Sequence, residues 1–422
     1  MRIAVIGSGI SGLVAAYFLQ RHHDVRVFEA RDHVGGHTWT IPVQEGERTV
    51  PVDIGFIVYN EKTYPNFCRL MDEIGVDTQP SDMSFGVRSE RTGLEYCGSS
   101  SLNQLFAQRS NLISPRFFRM LSGILRFHRN AHGLLDEAPD LTLGDYIRRE
   151  KLSKPFVELY LIPMIASIWS TDPDKMFEFP ARTLAQFLNN HGMLQIRDRP
   201  QWRVVQGGSA SYVKRLTASY ADRIHLGSPV ASIKRRDHCV EVKVQDGALE
   251  EFDTVVLATH SDQALRLLAD DTPAEREVLS GLPYQPNDVV LHTDTGIMPR
   301  RRLAWASWNY HLDVSSRASA EDLPNPDGAR LTYWMNRLQG LQTEKDYLVT
   351  LNRTDAIDPS KILFRTTLSH PLFLRESEAA KARWSEISRD RTFFCGAYWG
   401  FGFHEDGVKS GLRVATALGE SW

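Results

Sequence analysis

Residues 3–12 read Ile3-Ala4-Val5-Ile6-Gly7-Ser8-Gly9-Ile10-Ser11-Gly12, an apolar tetrad running straight into three spaced glycines. A short apolar run bounded by a glycine turn predicts a strand buried on both faces. The next stretch, LVAAYFLQR (residues 13–21), predicts a helix with small residues at Ala15 and Ala16. Each glycine has a physical use in such a turn. Gly7 permits the tight bend, Gly9 lets backbone approach a pyrophosphate, and Gly12 lets the helix lie close on the strand. The first helical N–H groups, at Ile10 and Ser11, then present a partial positive charge to phosphate. A second strand, Val25 to Phe28, ends at Glu29-Ala30. A carboxylate about 20 residues past the glycines accepts hydrogen bonds from a ribose 2′-hydroxyl and disfavours a 2′-phosphate.

A second glycine pair, Gly35-Gly36-His37, follows at once, and then Val52-Asp53-Ile54-Gly55. Glycines so soon after the ribose acid indicate backbone passing close to a cofactor a second time, here at its flavin half. An NAD-binding domain would proceed instead to another helix and strand. These residues resemble the amine oxidase superfamily of flavoproteins, which includes monoamine and polyamine oxidases, protoporphyrinogen oxidase and the carotenoid desaturases. That family carries GxGxxG, an acid, a GG pair and a DxG element in this order. The resemblance implies FAD, held without a covalent bond in preference to one through His37. It implies cofactor contacts at Gly7, Gly9, Ile10, Ser11, Gly12, Glu29, Ala30, Gly35, Gly36, His37, Asp53 and Gly55. Family members often carry Arg where this chain has His37.

The resemblance also requires the chain to leave this domain and return twice. Trp202 to Leu216 contains Gly207-Gly208 before an amphipathic helix. Ile224–Ile233 and Cys239–Val244 alternate like hairpin strands, and Val230 matches the position whose backbone holds adenine. Thr254 to His260 reads as a buried strand ending in small residues. The C-terminal FFCGAYWGFGFHEDGVKSGLRVATAL gives a strand, an aromatic loop and a final helix. The family likeness assigns Gly396, Asp406, Gly407, Val408 and Ser410 to the ribityl chain and pyrimidine edge. Where the family usually has Gly-Glu, this chain has Gly396-Ala397, so that contact is lost or supplied by Glu405 or Asp406.

The fold class is therefore α/β: a Rossmann-like FAD-binding domain (a parallel sheet with helices and a β-meander) plus a discontinuous α+β substrate domain. Residues 1–57, 199–281 and 391–422 are expected to form the first, and 58–198 with 282–390 the second. A chain of 422 residues is long enough for two cores. A net charge of −3 gives no overall attraction to nucleic acid. Four scattered cysteines lack metal-ligand spacing and suit a reducing, cytoplasmic setting. The first residues already belong to a strand, so no secretory leader is expected, and no apolar run reaches membrane-spanning length. One stretch, Ile113 to Leu135, sets Arg116, Arg119, Arg126 and Arg129 among apolar residues with no acid before Asp136. It suits either peripheral contact with an anionic membrane, at its inner face, or a solvated basic helix face.

Catalytic candidates cluster in the last loop: Tyr398, Trp399 and His404, with Phe401 and Phe403. His404 stands where amine oxidases carry one wall of an aromatic cage, and a histidine there is titratable near neutral pH. The lysine that many of them hold near the flavin would fall near Asn287 or Asp288, where this chain has none. The GAYWGFGFHEDGVKSG motif most resembles a bacterial branch similar to flavin enzymes that desaturate or isomerise fatty acyl chains, including those of furan fatty acid formation. That likeness implies hydride removal from an apolar acyl substrate, free or in a phospholipid. An amine oxidase releasing hydrogen peroxide and a redox-neutral double-bond isomerase are the alternatives.

Overall fold

The computed structural model describes residues 1–98, 101–138, 141–194, 200–245, 247–312 and 328–422. Five parallel strands, β1 (Arg2–Ile6), β2 (Asp24–Phe28), β3 (Ile224–His225), β4 (Thr254–Leu257) and β5 (Thr392–Phe394), form one sheet in the order β3-β2-β1-β4-β5. The apolar run at the N-terminus is continuous because both faces of β1 are covered. Ile3 and Val5 point into a core shared with the helices, and Ala4 and Ile6 into a second core under a β-meander. That meander is the antiparallel set Val230–Arg235, Val240–Val244 and Leu249–Phe252. The expected strand Ile224–Ile233 is divided: Ile224 and His225 pair with Val27 and Phe28, and the meander starts at Val230. Gly227, at φ +58, and Pro229, which has no N–H, end the pairing between the two halves.

Six helices matter to the site: α1 (Ile10–Leu19), α2 (Pro65–Glu73), α3 (Pro115–Asn130), α4 (Ile162–Trp169), α5 (Ala210–Thr217) and α6 (His404–Ala417). The first and last lie against each other with almost no side chain between them. A Cβ on Gly407 would come within 2.5 Å of Ile10 Cγ2, and one on Gly411 within 2.5 Å of the Ser11 carbonyl oxygen. Spaced four apart, these glycines share one face of α6 and let its N-terminus sit beside that of α1.

The largest core joins α3, α4 and their neighbours to a seven-stranded sheet. Its order is Ile362–Pro371, Tyr284–His292, Leu348–Leu351, Leu331–Trp334, Trp308–Leu312, Phe85–Ser89 and Glu95–Gly98. All pairings are antiparallel except that of Trp308–Leu312 with Phe85–Ser89. The molecule is thus an α/β fold with a parallel nucleotide-type sheet and a separate, largely antiparallel one. Residues just past 57 do not leave the first unit at once. Tyr59, Tyr64, Phe67, Leu70 and Met71 pack into the core of α1, and Val58–Asn60 pairs with Trp202–Val205. The expected boundary at 198/199 lies outside the described residues.

Candidate active site

A cavity of about 610 Å³ opens between the two sheets. Its floor is the turn between β1 and α1, and backbone contacts fix the shape of that turn. Gly7 sits at φ +101, and a side chain there would meet the Ala258 carbonyl oxygen at 2.9 Å. A side chain at Gly12 would run into the Gly7 carbonyl oxygen and come within 2.8 Å of Ala258 Cβ. Gly9 is the opposite case, since a Cβ there has nothing within 4 Å and would project into free space. Gly9 is also the N-cap of α1 and offers no capping side chain, so the first-turn N–H groups are left to a ligand. Gly35 and Gly36, at φ +123 and +60, return the chain to the same place, with Gly36 against Gly9.

Glu29 ends β2 at the edge of this floor. Its Oε2 accepts from Ser8 N–H at 2.9 Å and Ser8 Oγ at 2.5 Å, and its Oε1 accepts from Arg31 N–H at 2.9 Å. The Arg31 side chain lies over Trp39, and its buried Nη1 has no hydrogen-bond partner. Uncapped helix N–H groups, a cradle that a Cβ would fill, a fixed carboxylate and an unpartnered guanidinium nitrogen together fit a dinucleotide diphosphate with its ribose.

Of the residues singled out from sequence, Gly7, Gly9, Ile10, Ser11, Glu29, Ala30, Gly35, Gly36, His37, Gly55, Val230, Gly396, Tyr398 and His404 line this cavity. Seven do not. Gly12 is packed between strand and helix, and Val408 is wholly buried in the α1 core. Asp53 is turned away from the cavity onto the start of α5. It accepts from Thr40 Oγ1, from Ser209 N–H at 2.9 Å and from Ser209 Oγ at 3.0 Å, and burial raises its pKa to about 6. Asp406 accepts from the N–H groups of Phe401 and Phe403, both at 3.0 Å, and so pins the aromatic loop. Gly407 packs on Ile10, and Ser410 Oγ accepts from Gly396 N–H at 3.0 Å. Trp399 lies in the packing behind the wall. Glu405 does not replace the missing family glutamate either. It caps α2, accepting from Phe67 N–H at 2.9 Å and from Asn66 Nδ2 at 2.6 Å.

The wall facing the floor is made by side chains from remote segments. The His404 imidazole stacks on Phe56 with centroids 3.4 Å apart, and its Nε2 hydrogen-bonds Tyr212 Oη at 2.6 Å and Thr38 Oγ1 at 3.1 Å. Thr38 and Tyr212 also bond each other at 2.7 Å, closing a buried triangle. Burial, reinforced by His37 nearby, pushes His404 well below the ordinary histidine range, so it is neutral at physiological pH. The titration near neutrality expected from sequence is therefore not what this environment produces.

Three more histidines line the cavity. His37 Nε2 bonds the Ser369 carbonyl at 3.0 Å, His260 stacks on Tyr284, and His370 Nδ1 bonds Asn287 Nδ2 at 2.9 Å. Burial lowers His37 to about 4 and both His260 and His370 to about 3. Sequence reading missed Ser8, Arg31, Thr38, Phe56, Tyr212, His260 and His370 as site residues. The only local sign for any of these was His260, directly after the small residues that end β4.

A dinucleotide cradle facing a wall of aromatic rings and histidines fits a nucleotide cofactor. Residues 10–302 match the family described as flavin containing amine oxidoreductase, and the chain belongs to that family. A flavin-containing monoamine oxidase of Mycobacterium tuberculosis, AofH, is 27% identical over 266 residues, covering 59% of this chain and 54% of its own length. The chain spans about half the length of the curated relatives it matches first. A redesigned putrescine oxidase superposes with a TM-score of 0.69 at 15% identity, covering 99% of this chain and 98% of that one. A fatty acid isomerase from P. acnes superposes with a TM-score of 0.68 at 16% identity, covering 99% and 98%. At such identities the two structures speak for the fold alone. FAD is the family's cofactor, and the glycine-lined cradle fits it.

Proposed function

We propose that this oxidoreductase removes hydride from a saturated carbon of an apolar acyl chain and so introduces a double bond. The observation carrying this reading is the character of the cavity wall. Beyond the floor it carries the apolar and aromatic side chains of Phe56, Tyr64, Ile168, Trp169, Trp308 and Tyr333 beside the uncharged imidazoles of His37, His260, His370 and His404. Among the described residues Glu29 is the one carboxylate on the lining, and its oxygens are already held by Ser8 and Arg31. An alkyl-ammonium substrate would enter this wall without a counter-charge, whereas an alkyl chain loses nothing by desolvation there. Position 287, where a lysine would favour the amine oxidase reading, holds Asn287, bonded to His370.

Bound FAD supplies the hydride acceptor, leaving the protein to orient the chain and take up a proton from the adjacent carbon. His404, on the cavity lining, is the candidate for that second task. Burial keeps its imidazole unprotonated at neutral pH, and Thr38 and Tyr212 fix its ring against Phe56 through Nε2. Anaerobic mixing with unsaturated fatty acids or phospholipids should bleach the flavin band near about 450 nm, and primary amines should not. Bleaching by amines with lipids inert would replace this reading by the amine oxidase one. Double-bond migration without lasting reduction would replace it by an isomerase. The His404→Phe variant should keep FAD yet reduce it about 100-fold more slowly, the usual contribution of one positioned acid or base. An unchanged rate would remove His404 from the chemistry.

A further inference from the structure

The outer side of α3 carries a feature that the substrate reading leaves unused. The helix is amphipathic in the ordinary sense on its inner face, where Phe117, Met120 and Phe127 enter the core. Gly123 there leaves room for Phe156, whose Cβ would lie 2.5 Å from any Cβ at that position. The outer face, spaced by three and four residues, carries Phe118, Arg119, Ser122, Leu125, Arg126 and Arg129, all exposed. Among the described residues ten large apolar side chains are exposed, and five of them fall between residues 102 and 125. They are Leu102 (73% exposed), Leu112 (51%), Ile113 (84%), Phe118 (48%) and Leu125 (54%). Scattered singly over a surface such residues mean nothing, but five within one short stretch, two of them on α3 and two in the turn before it, mark a contact surface.

The charge around them chooses the partner. Residues 102–135 contain five arginines and no acid, in a chain whose net charge is −3. Arg116 competes with Arg91 and Lys154 for one buried carboxylate, Glu158, at 3.2, 3.5 and 3.4 Å, so that cluster stays cationic. Arg126 meets Glu150 at 3.6 Å. Arg119 and Arg129 have no acidic partner among the described residues. Exposed apolar side chains interleaved with unpaired arginines match a phospholipid surface that is anionic outside and apolar beneath. We propose that the outer face of α3, with the turn before it, docks on an anionic bilayer. Leu112, Ile113 and Phe118 then enter the acyl boundary while Arg119 and Arg129 lie on the headgroups. Phe156, seated on Gly123, belongs to the segment that continues into α4, whose Ile168 and Trp169 line the cavity. The docked face is thus one helical layer from the site.

The test is flotation of the FAD-loaded protein with vesicles of phosphatidylcholine alone and with about 30 mol % phosphatidylglycerol added. The protein should float with the second and stay behind with the first. Salt that shortens the Debye length from about 8 Å toward about 3 Å should release it. Arg119→Gln with Arg129→Gln should weaken binding about 30-fold, roughly fivefold per charge. Phe118→Asp should abolish it with circular dichroism and bound flavin unchanged. If that variant fails to fold, Ile113→Asp, ahead of the helix and the most exposed of the set, carries the same expectation. Equal flotation with both vesicles, flotation with neither, or variants that bind like the parent would each overturn the proposal. Flotation needs no turnover, so its outcome is separate from that of the flavin-bleaching experiment.

Discussion

Around the glycine turn most close approaches are to backbone atoms, and apart from Ala258 and Thr259 the residues involved lie within 38 positions of the N-terminus. On the opposite wall side chains reach the cavity from positions 56, 260, 370 and 404, and those at 38 and 212 hold His404 from behind. The first region fixes shape by excluding side chains, and a single added methyl group disturbs it. The second fixes chemistry by burying polar groups together, and it responds to the proton rather than to bulk.

The sharpest contrast is expected at Gly12. Gly12→Val places carbon where the Gly7 carbonyl oxygen and Ala258 stand, and overpacking of this kind costs about 3 kcal/mol or more. The variant should yield little folded protein and no bound flavin, as read by thermal melting and flavin absorbance. A yellow, stable Gly12→Val protein would show that the turn is not packed as described. Next comes Glu29→Gln, which removes charge-assisted acceptance from Ser8 and Arg31 while keeping the shape. At about 1.5–3 kcal/mol for hydrogen bonds to a charged group, FAD affinity should fall by about 10- to 100-fold with folding largely retained. Equilibrium titration of the flavin-free protein reads it directly.

The wall should show itself in pH. His370 has a folded pKa of about 3 against an ordinary value of 6.5, so the unfolded chain binds the extra proton between those limits. Its contribution is complete above about 6.5 and is lost as pH falls toward 3, at up to about 1.4 kcal/mol per pH unit. His370→Gln should therefore flatten the acid side of the stability profile by one proton. Asp53 runs the other way. Burial raises it to about 6, so its contribution is complete below about 4 and lost as pH rises through 6, by about 3 kcal/mol in all. Asp53→Asn should gain on the parent protein across that interval. Profiles that stay parallel to the parent's would mean that neither group is buried as described.

Much of the floor is legible in the sequence, because its logic is local. Gly7, Gly9, Gly12 and Glu29 serve one turn and the strand beside it, so their spacing carries their meaning. The wall is not legible, since nothing near Thr38 or Tyr212 in sequence says that each will meet His404. Motif matching also overreached where a residue's neighbour in space differs from its neighbour in sequence. Asp53 sits in a DxG element yet is drawn onto Ser209, because Gly207-Gly208 brings the start of α5 to it. Asp406 is held by the loop it caps, and Trp399 by the two cores it separates. Trp399 provides the smallest expected effect. Its buried indole Nε1 has only the Tyr398 hydroxyl as a partner, so Trp399→Phe removes at most that one contact and should cost about 1 kcal/mol. Flavin reduction should proceed at the parent's rate, and a large loss of rate would return Trp399 to the reacting surface.

Backbone floor and side-chain wall have a common purpose only if one cavity encloses FAD between them. Titrating flavin-free protein with FAD while following flavin fluorescence tests this most directly. Saturation at one FAD per chain, with NADP unable to compete, is the predicted result. Fluorescence indifferent to protein at any FAD concentration would contradict it.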